Sequence, residues 1–114
     1  YIDDIQARIN ANFGTEGFTC IAEQHAGIKV NFDFSDISAE TMTHMARKVA
    51  QSKPQAITIF CTNMKGAPLA APLEQELGIP IYDTVSLAVW ASLRVAGVDP
   101  SRVRGWGRLF RDVR

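Results

Sequence analysis

Residues 56–83, "AITIFCTNMKGAPLAAPLEQELGIPIYD", carry the pattern that decides the fold. The uncharged, β-branched run at 56–60 predicts a strand that is covered on both faces. A short helix follows, with Pro72 in its first turn and Gly78 as its stop. The run at 79–83 predicts the next strand, and its proline is typical of a strand start or a sheet edge. A strand, a helix and another strand in this order predict a parallel pair with a right-handed crossover.

Three further helices are predicted around this unit. The first helix opens the chain and ends at Gly14, and its apolar residues repeat at helical spacing: Ile2, Ile5, Ile9 and Phe13. The second helix spans 38–52, with its first serine as the N-cap. The third spans 85–96 and is capped by Asp83 or Thr84. The face predicted to point inward consists of Val85, Val89, Leu93 and Ala96.

The remaining segments complete an alternation of helices and strands. The short apolar run at 18–24 predicts a strand, and 25–36 reads as a long connecting loop of the kind that often lines a site. Such alternation predicts one α/β domain over residues 1–114, built on a doubly wound parallel sheet. An α/β domain rarely starts with a helix. We therefore expect a strand before Tyr1, absent from this chain, and about four strands in all with flanking helices.

Composition excludes several classes of function. The formal net charge is zero, and no run of Lys or Arg with interleaved aromatic residues is present, so we expect no nucleic-acid partner. Five arginines near the end of the chain form the one basic cluster, which we interpret as a solvated or domain-contacting end. No apolar run is long enough to span a membrane, and no signal peptide is visible. Two cysteines without metal or disulfide spacing favour a cytoplasmic, reduced protein.

Ligands of open α/β sheets bind beyond the carboxyl ends of the strands, and Cys61 lies at such an end. The loop that starts at His25, the segment after Cys61 and the turn at Asp83 should meet there. A strand-end cysteine can be a buried apolar residue or a reactive thiol. Thr62 and Asn63 favour the second interpretation, because a hydroxyl and an amide beside the thiol can hold a carboxylate or an oxyanion.

The chain lacks the residues that other cysteine enzymes and nucleotide-binding proteins require. A phosphatase loop needs arginine where the chain has Ala67, and a thioredoxin pair needs cysteine where it has Met64. No P-loop or GxGxxG motif is present, so no nucleotide or flavin site is supported. His25 alone is weak support for a Cys–His dyad. Among the remaining candidates, Cys20 and the Met42/Met45 pair are predicted to be core residues and His44 a solvated one.

Three quoted segments carry a family resemblance: "YIDDIQARINANF" at the start, the run "CTNMKGAPLAAPLEQELGIPIYDTVSLAVWASLRVAG", and "GWGRLF" near the end. In this order they resemble the carboxy-terminal half of arylmalonate decarboxylases and maleate cis-trans isomerases, which belong to the aspartate/glutamate racemase superfamily. The resemblance implies an enzyme of two similar α/β halves with the active site between them. It also implies that neither a cofactor nor a metal is needed. The missing amino-terminal half would be an obligatory partner.

The resemblance also assigns roles to residues of this chain. Cys61 matches the family cysteine that delivers or removes a proton at the carbon next to a carboxylate. Tyr1 falls on the family tyrosine that helps to stabilise the enediolate, with Thr62 and Asn63 as further donors around the oxyanion. The substrate would be a small mono- or dicarboxylate. Assembly of the enzyme into a homo-oligomer is left open.

The sequence leaves more than one reaction open. The opening and ending segments are most similar to arylmalonate decarboxylases, which favours decarboxylation through an enediolate. Those enzymes have glycines after the cysteine, however, and "Cys-Thr-Asn" is similar to the isomerases and racemases, in which the other half supplies a second cysteine. Maleate isomerisation or an aspartate/glutamate-type racemisation is therefore the alternative. A non-catalytic carboxylate-binding domain on the same scaffold is a second alternative.

Overall fold

The structure is a computed structural model that describes all residues, 1–114. It contains five α-helices and two strands, here named in chain order: α1 (Asp3–Thr15), α2 (Ala39–Ala50), β1 (Ile57–Ile59), α3 (Ala70–Leu77), β2 (Ile81–Asp83), α4 (Thr84–Val95) and α5 (Arg108–Asp112). Three short 3₁₀ turns lie at Asn31–Asp36, Ala67–Leu69 and Pro100–Arg102. None of the helices has the length and apolar character needed to cross a membrane.

The predicted strand–helix–strand unit forms as expected. β1 and β2 pair in parallel, with Ile57 opposite Ile81 and Ile59 opposite Asp83. The connection between them runs through α3, which Gly78 ends in the left-handed conformation. The α/β class, with a parallel sheet flanked by helices, is therefore confirmed. Each strand is shorter than its apolar run, because only three residues of each make ladder hydrogen bonds.

The prediction of a strand at 18–24 is wrong, so this chain contributes two strands to the sheet where three were predicted within it. The backbone of this segment joins no ladder, and the Phe18 N–H bonds back to the Phe13 carbonyl at 3.0 Å. Apolar side chains of the segment remain exposed, with Phe18 at 65% and Ile21 at 54%. Cys20 is likewise exposed rather than part of the core. A strand needs a neighbouring strand to bond with, and none lies beside this segment.

Helix starts follow the predicted capping residues. The Ser38 hydroxyl accepts a hydrogen bond from the Thr41 N–H at 3.0 Å at the start of α2. The Asp83 carboxylate accepts one from the Ser86 N–H at 2.9 Å at the start of α4. The stop predicted at Gly14 is wrong, because α1 continues to Thr15. Within the predicted loop 25–36, the last six residues form the first 3₁₀ turn.

A small apolar core lies between the sheet and two helices. Its buried members come from α2, β1, α3 and β2: Ala46, Ile57, Ile59, Ala70, Leu73 and Ile81. Met42 is also buried, while His44 is exposed, as predicted. The inward face predicted for α4 is wrong, since Val85 is 41% and Val89 44% exposed. Of the other two residues of that face, Ala96 is exposed and Leu93 is half-buried.

The segment "GWGRLF" packs the end of the chain onto the sheet edge. Leu109 and Phe110 are buried, and Glu74 of α3 joins the two regions. One Glu74 oxygen accepts from the Ile81 N–H at 2.9 Å, and the other accepts from the Arg108 N–H at 2.7 Å. Gly107 has a φ of 101°, and a methyl group there would lie 3.2 Å from the Glu74 carboxylate. Glycine is thus required both for its backbone conformation and for space.

Candidate active site

Cys61 lies just beyond the end of β1 and is 5% exposed. The strand alternates in burial, with Ile57 and Ile59 buried and Thr58 between them exposed, and Cys61 continues the buried positions. A tight turn follows, in which the Met64 N–H donates to the Cys61 carbonyl at 3.3 Å. The sulfur therefore lies at the carboxyl end of the parallel pair, where topology predicts a binding site.

Tyr1, the first residue of the chain, lies near the Cys61 side chain. The pKa of Tyr1 is raised above the usual 10.0, first by burial and then by its interaction with the neighbouring Cys61 side chain. The Tyr1 ring packs against Phe34, with the ring centroids 5.0 Å apart, and Phe60 lies 6.4 Å away. The Tyr1 carbonyl accepts from the Gly27 N–H at 3.0 Å. The phenol is thus held beside the thiol in its neutral, hydrogen-bond-donating form.

The two polar residues after Cys61 have different environments. Asn63 donates from its amide nitrogen to the Asn31 carbonyl at 2.8 Å, so it ties the turn to the first 3₁₀ segment. Thr62 is exposed and its hydroxyl forms no hydrogen bond within the chain. Because an amide nitrogen carries two hydrogens, Asn63 keeps one donor beyond this contact. The structure thus brings Cys61 and Tyr1 together directly and places Thr62 and Asn63 on the adjoining turn.

Hydrogen bonds to backbone carbonyls tie two of the predicted segments to this end of the sheet. The Thr84 hydroxyl donates to the Ile59 carbonyl at 2.8 Å, which joins the start of α4 to the end of β1. The loop that contains Gly27 reaches the site by its hydrogen bond to Tyr1. No three His, Cys, Asp or Glu side chains lie close enough together to hold a metal ion.

His25 has partners other than Cys61. Its Nδ1 lies 2.8 Å from a Glu23 oxygen and its Nε2 lies 2.7 Å from an Asp3 oxygen. The hydrogen bond with Glu23, followed by the one with Asp3, raises the pKa of His25. Both ring nitrogens are therefore engaged with carboxylates, and the Cys–His dyad considered from the sequence does not form. His25 instead connects the loop at 25–27 to the first turn of α1.

Asp83 lies beside the site and has a feature that the sequence did not reveal. Its capping role was predicted, but the carboxylate is also 0% exposed, and its Oδ2 has no hydrogen-bond partner. Gly66 packs closely beside it, since a methyl group there would lie 2.8 Å from that oxygen. The pattern "YDTVS" contains only the signal of a helix cap. Burial of the free oxygen depends on the loop that folds over it.

Comparisons with known proteins agree with this architecture. A family model described as arylmalonate decarboxylase matches residues 1–110. The arylmalonate decarboxylase of Bordetella bronchiseptica is 23% identical over 112 residues, which cover 96% of this chain and 47% of that protein. The chain thus spans about half the length of this relative.

Solved structures also match this chain over about half of their own length. A Nocardia farcinica maleate cis-trans isomerase, in a cysteine-to-serine variant with a covalently bound succinylcysteine intermediate, superposes with a TM-score of 0.92 at 26% identity. It is matched over 100% of this chain and 46% of its own. A glycine-to-cysteine variant of arylmalonate decarboxylase, in its sulfate-associated form, gives 0.84 at 22% identity, covering 98% of this chain and 49% of its own. The family model matches nearly all residues of the chain. This chain belongs to the arylmalonate decarboxylase family.

Proposed function

We propose that the chain is the carboxy-terminal half of a two-domain enzyme that moves a proton at the carbon next to a carboxylate, without a cofactor. The reaction is most similar to that of arylmalonate decarboxylases. The observation that carries this proposal is the pairing of a buried thiol, Cys61, with a neutral phenol, Tyr1, at the carboxyl end of the parallel strands. Coverage of about half of each relative supports the two-domain arrangement.

The proposed chemistry assigns one role to each group. When the substrate loses carbon dioxide, the electron pair of the broken C–C bond passes into an enediolate on the remaining carboxylate. The Cys61 thiol then gives its proton to the carbon, which leaves a thiolate that takes up a proton from water. Tyr1 donates a hydrogen bond to the enediolate oxygen: a phenol is protonated at neutral pH, and the pKa of Tyr1 is raised further above its usual 10.0. Thr62 and the remaining Asn63 donor complete the oxyanion site.

Isomerisation or racemisation is the second candidate, and two observations favour it. Thr62 and Asn63 provide polar donors after the cysteine, which suit a second carboxylate. The isomerase structure that superposes at a TM-score of 0.92 carries its intermediate on a cysteine. In this alternative Cys61 acts as nucleophile or base and works with a group from the other half of the enzyme.

The test uses the full-length enzyme that contains this chain, with an arylmalonate and maleate as substrates. Carbon dioxide release and fumarate formation distinguish the two reactions. Replacement of Cys61 by Ser should lower kcat by about 10²–10⁴-fold, the usual contribution of a positioned general acid. Cys20→Ser is the matched control, because Cys20 is exposed and outside the site. Full turnover in the Cys61→Ser enzyme excludes the assignment. Carboxylate binding without turnover of either substrate by the unmodified enzyme would favour the non-catalytic alternative.

A further inference from the structure

The Asp83 carboxylate uses only one of its two oxygens. Oδ1 accepts the Ser86 N–H at 2.9 Å, whereas Oδ2 is buried without a partner, and the residue is 0% exposed. Capping a helix requires a single acceptor, which Ser38 supplies at the start of α2 with one hydroxyl. A buried oxygen without a hydrogen bond costs free energy, so the second oxygen calls for an explanation beyond capping.

The free oxygen lies beneath the loop that follows Cys61, here called the cysteine loop (residues 62–66). Asp83 is paired in register with Ile59, which is two residues before Cys61 on the neighbouring strand. A methyl group on Gly66 would lie 2.8 Å from Asp83 Oδ2 and 2.8 Å from the Ile59 side chain. Gly66 has a φ of −83°, which any residue adopts, so glycine is needed there for space alone. The end of the cysteine loop therefore rests directly on the carboxylate.

We propose that Asp83 is a positioning residue that sets the place of Cys61 through Gly66. Oδ1 fixes the first turn of α4, and Oδ2 forms the surface on which the cysteine loop packs. The carboxylate thus links the end of β2 to the turn that carries Thr62 and Asn63. Asp83 itself is fully buried. This inference rests on the proposed role of Cys61.

The test compares Asp83→Asn with Asp83→Ser in a Cys20→Ser background. Both replacements keep a capping oxygen, because Asn and Ser are good N-caps. Asn puts a donor in place of Oδ2, and Ser leaves a gap under Gly66. The first readout is the rate of Cys61 alkylation by iodoacetate relative to iodoacetamide. This ratio reports the surroundings of the sulfur without any assumption about catalysis.

The second readout is turnover by the full-length enzyme. A displaced thiol should lower kcat by up to about 100-fold while KM changes little, because a small misplacement of a reacting group acts on the chemical step. Both variants should also shift the alkylation ratio. Asp99→Asn is the matched control: Asp99 caps the turn at Pro100–Arg102 by accepting the Ser101 N–H at 2.9 Å, away from the site. The control should leave both readouts unchanged.

The two proposals fail in different ways. If both Asp83 variants match the Asp99 control in alkylation ratio and kcat, Asp83 is only a helix cap and the positioning role is overturned. If Cys61→Ser retains turnover, the proposed function fails, yet the alkylation ratio still reports on the loop. Should Asp83→Ser not fold, the nearly isosteric Asp83→Asn decides the outcome. Gly66→Ala approaches the same contact from the loop side and keeps the Asp83 charge, so a shift of the ratio in this variant reports displacement of the loop alone.

Discussion

The phenol of Tyr1 lies near the thiol of Cys61, although one is the first residue of the chain and the other follows β1. Tyr1 is held from two sides, by the Phe34 ring at 5.0 Å and by the hydrogen bond from the Gly27 N–H to its carbonyl. Burial and the neighbouring sulfur both raise the pKa of Tyr1. A protonated donor is thereby placed where the proposed reaction develops negative charge.

Removal of the Tyr1 hydroxyl tests this relationship. Tyr1→Phe keeps the ring that packs on Phe34, so we expect the fold to be retained. Loss of an oxyanion donor should lower kcat of the full-length enzyme by about 10²–10³-fold. Steady-state kinetics provide the measurement, with Tyr82→Phe on β2 as the control for loss of a tyrosine hydroxyl. An unchanged kcat in Tyr1→Phe means that the phenol does not stabilise the reaction.

The hydrogen bonds of His25 should make the stability of the folded chain depend on pH. Hydrogen bonds with Glu23 and then Asp3 raise its pKa above 6.5 in the folded chain. The folded state therefore holds its proton to higher pH than the unfolded state does. The contribution is complete below pH 6.5, the ordinary value, and is lost as the pH rises through the raised pKa.

Urea denaturation at a series of pH values measures this contribution. We expect the free energy of unfolding to fall as the pH rises from 6.5 through the raised pKa of His25. Most of this dependence should disappear in His25→Gln. His44→Gln is the control, because His44 is an exposed residue of α2. Identical pH profiles for the unmodified chain and His25→Gln contradict the prediction.

Glu74 is predicted to be a major contributor to stability. It is 8% exposed and accepts hydrogen bonds from the Ile81 and Arg108 N–H groups at 2.9 and 2.7 Å. Glu74→Ala removes both bonds and leaves the Ile81 donor buried without a partner. We expect a loss of about 2–4 kcal/mol in the free energy of unfolding, measured by chemical denaturation. Glu76→Ala, which removes an exposed ion pair with Arg47, should have little effect. Equal losses in the two variants would contradict the prediction.

Two glycine-to-alanine replacements should change stability in opposite directions. Gly107→Ala places a methyl group 3.2 Å from both Ala70 and Glu74 at a φ of 101°, so we expect a loss of about 1–3 kcal/mol. Gly14 lies in helix α1 with nothing within 4 Å of an added methyl group. Gly14→Ala should therefore stabilise the chain by about 0.4–1 kcal/mol, because it reduces the freedom of the unfolded state. Thermal denaturation compares the two, and a stabilised Gly107→Ala variant is the contrary result.

Local chemistry made the central unit predictable. The apolar runs of β1 and β2, the proline and glycine around α3, and the caps at Ser38 and Asp83 act over a few residues, so the sequence reveals them directly. The position of Cys61 at a strand end follows from the same pattern. The apolar run at 18–24 has an equally clear pattern but forms no strand. A strand requires hydrogen bonds from a neighbour that is distant in sequence.

The sequence by itself determined the parallel strand–helix–strand unit and placed Cys61 at its carboxyl end. Only the tertiary structure decided how far that unit extends and what surrounds the thiol. Exposure of the α4 face, the contact between Tyr1 and Cys61, and the unpartnered oxygen of Asp83 under Gly66 all depend on segments that are far apart in sequence. Periodicity and capping describe interactions within a few residues. Burial and the proximity of side chains arise only when distant segments pack together.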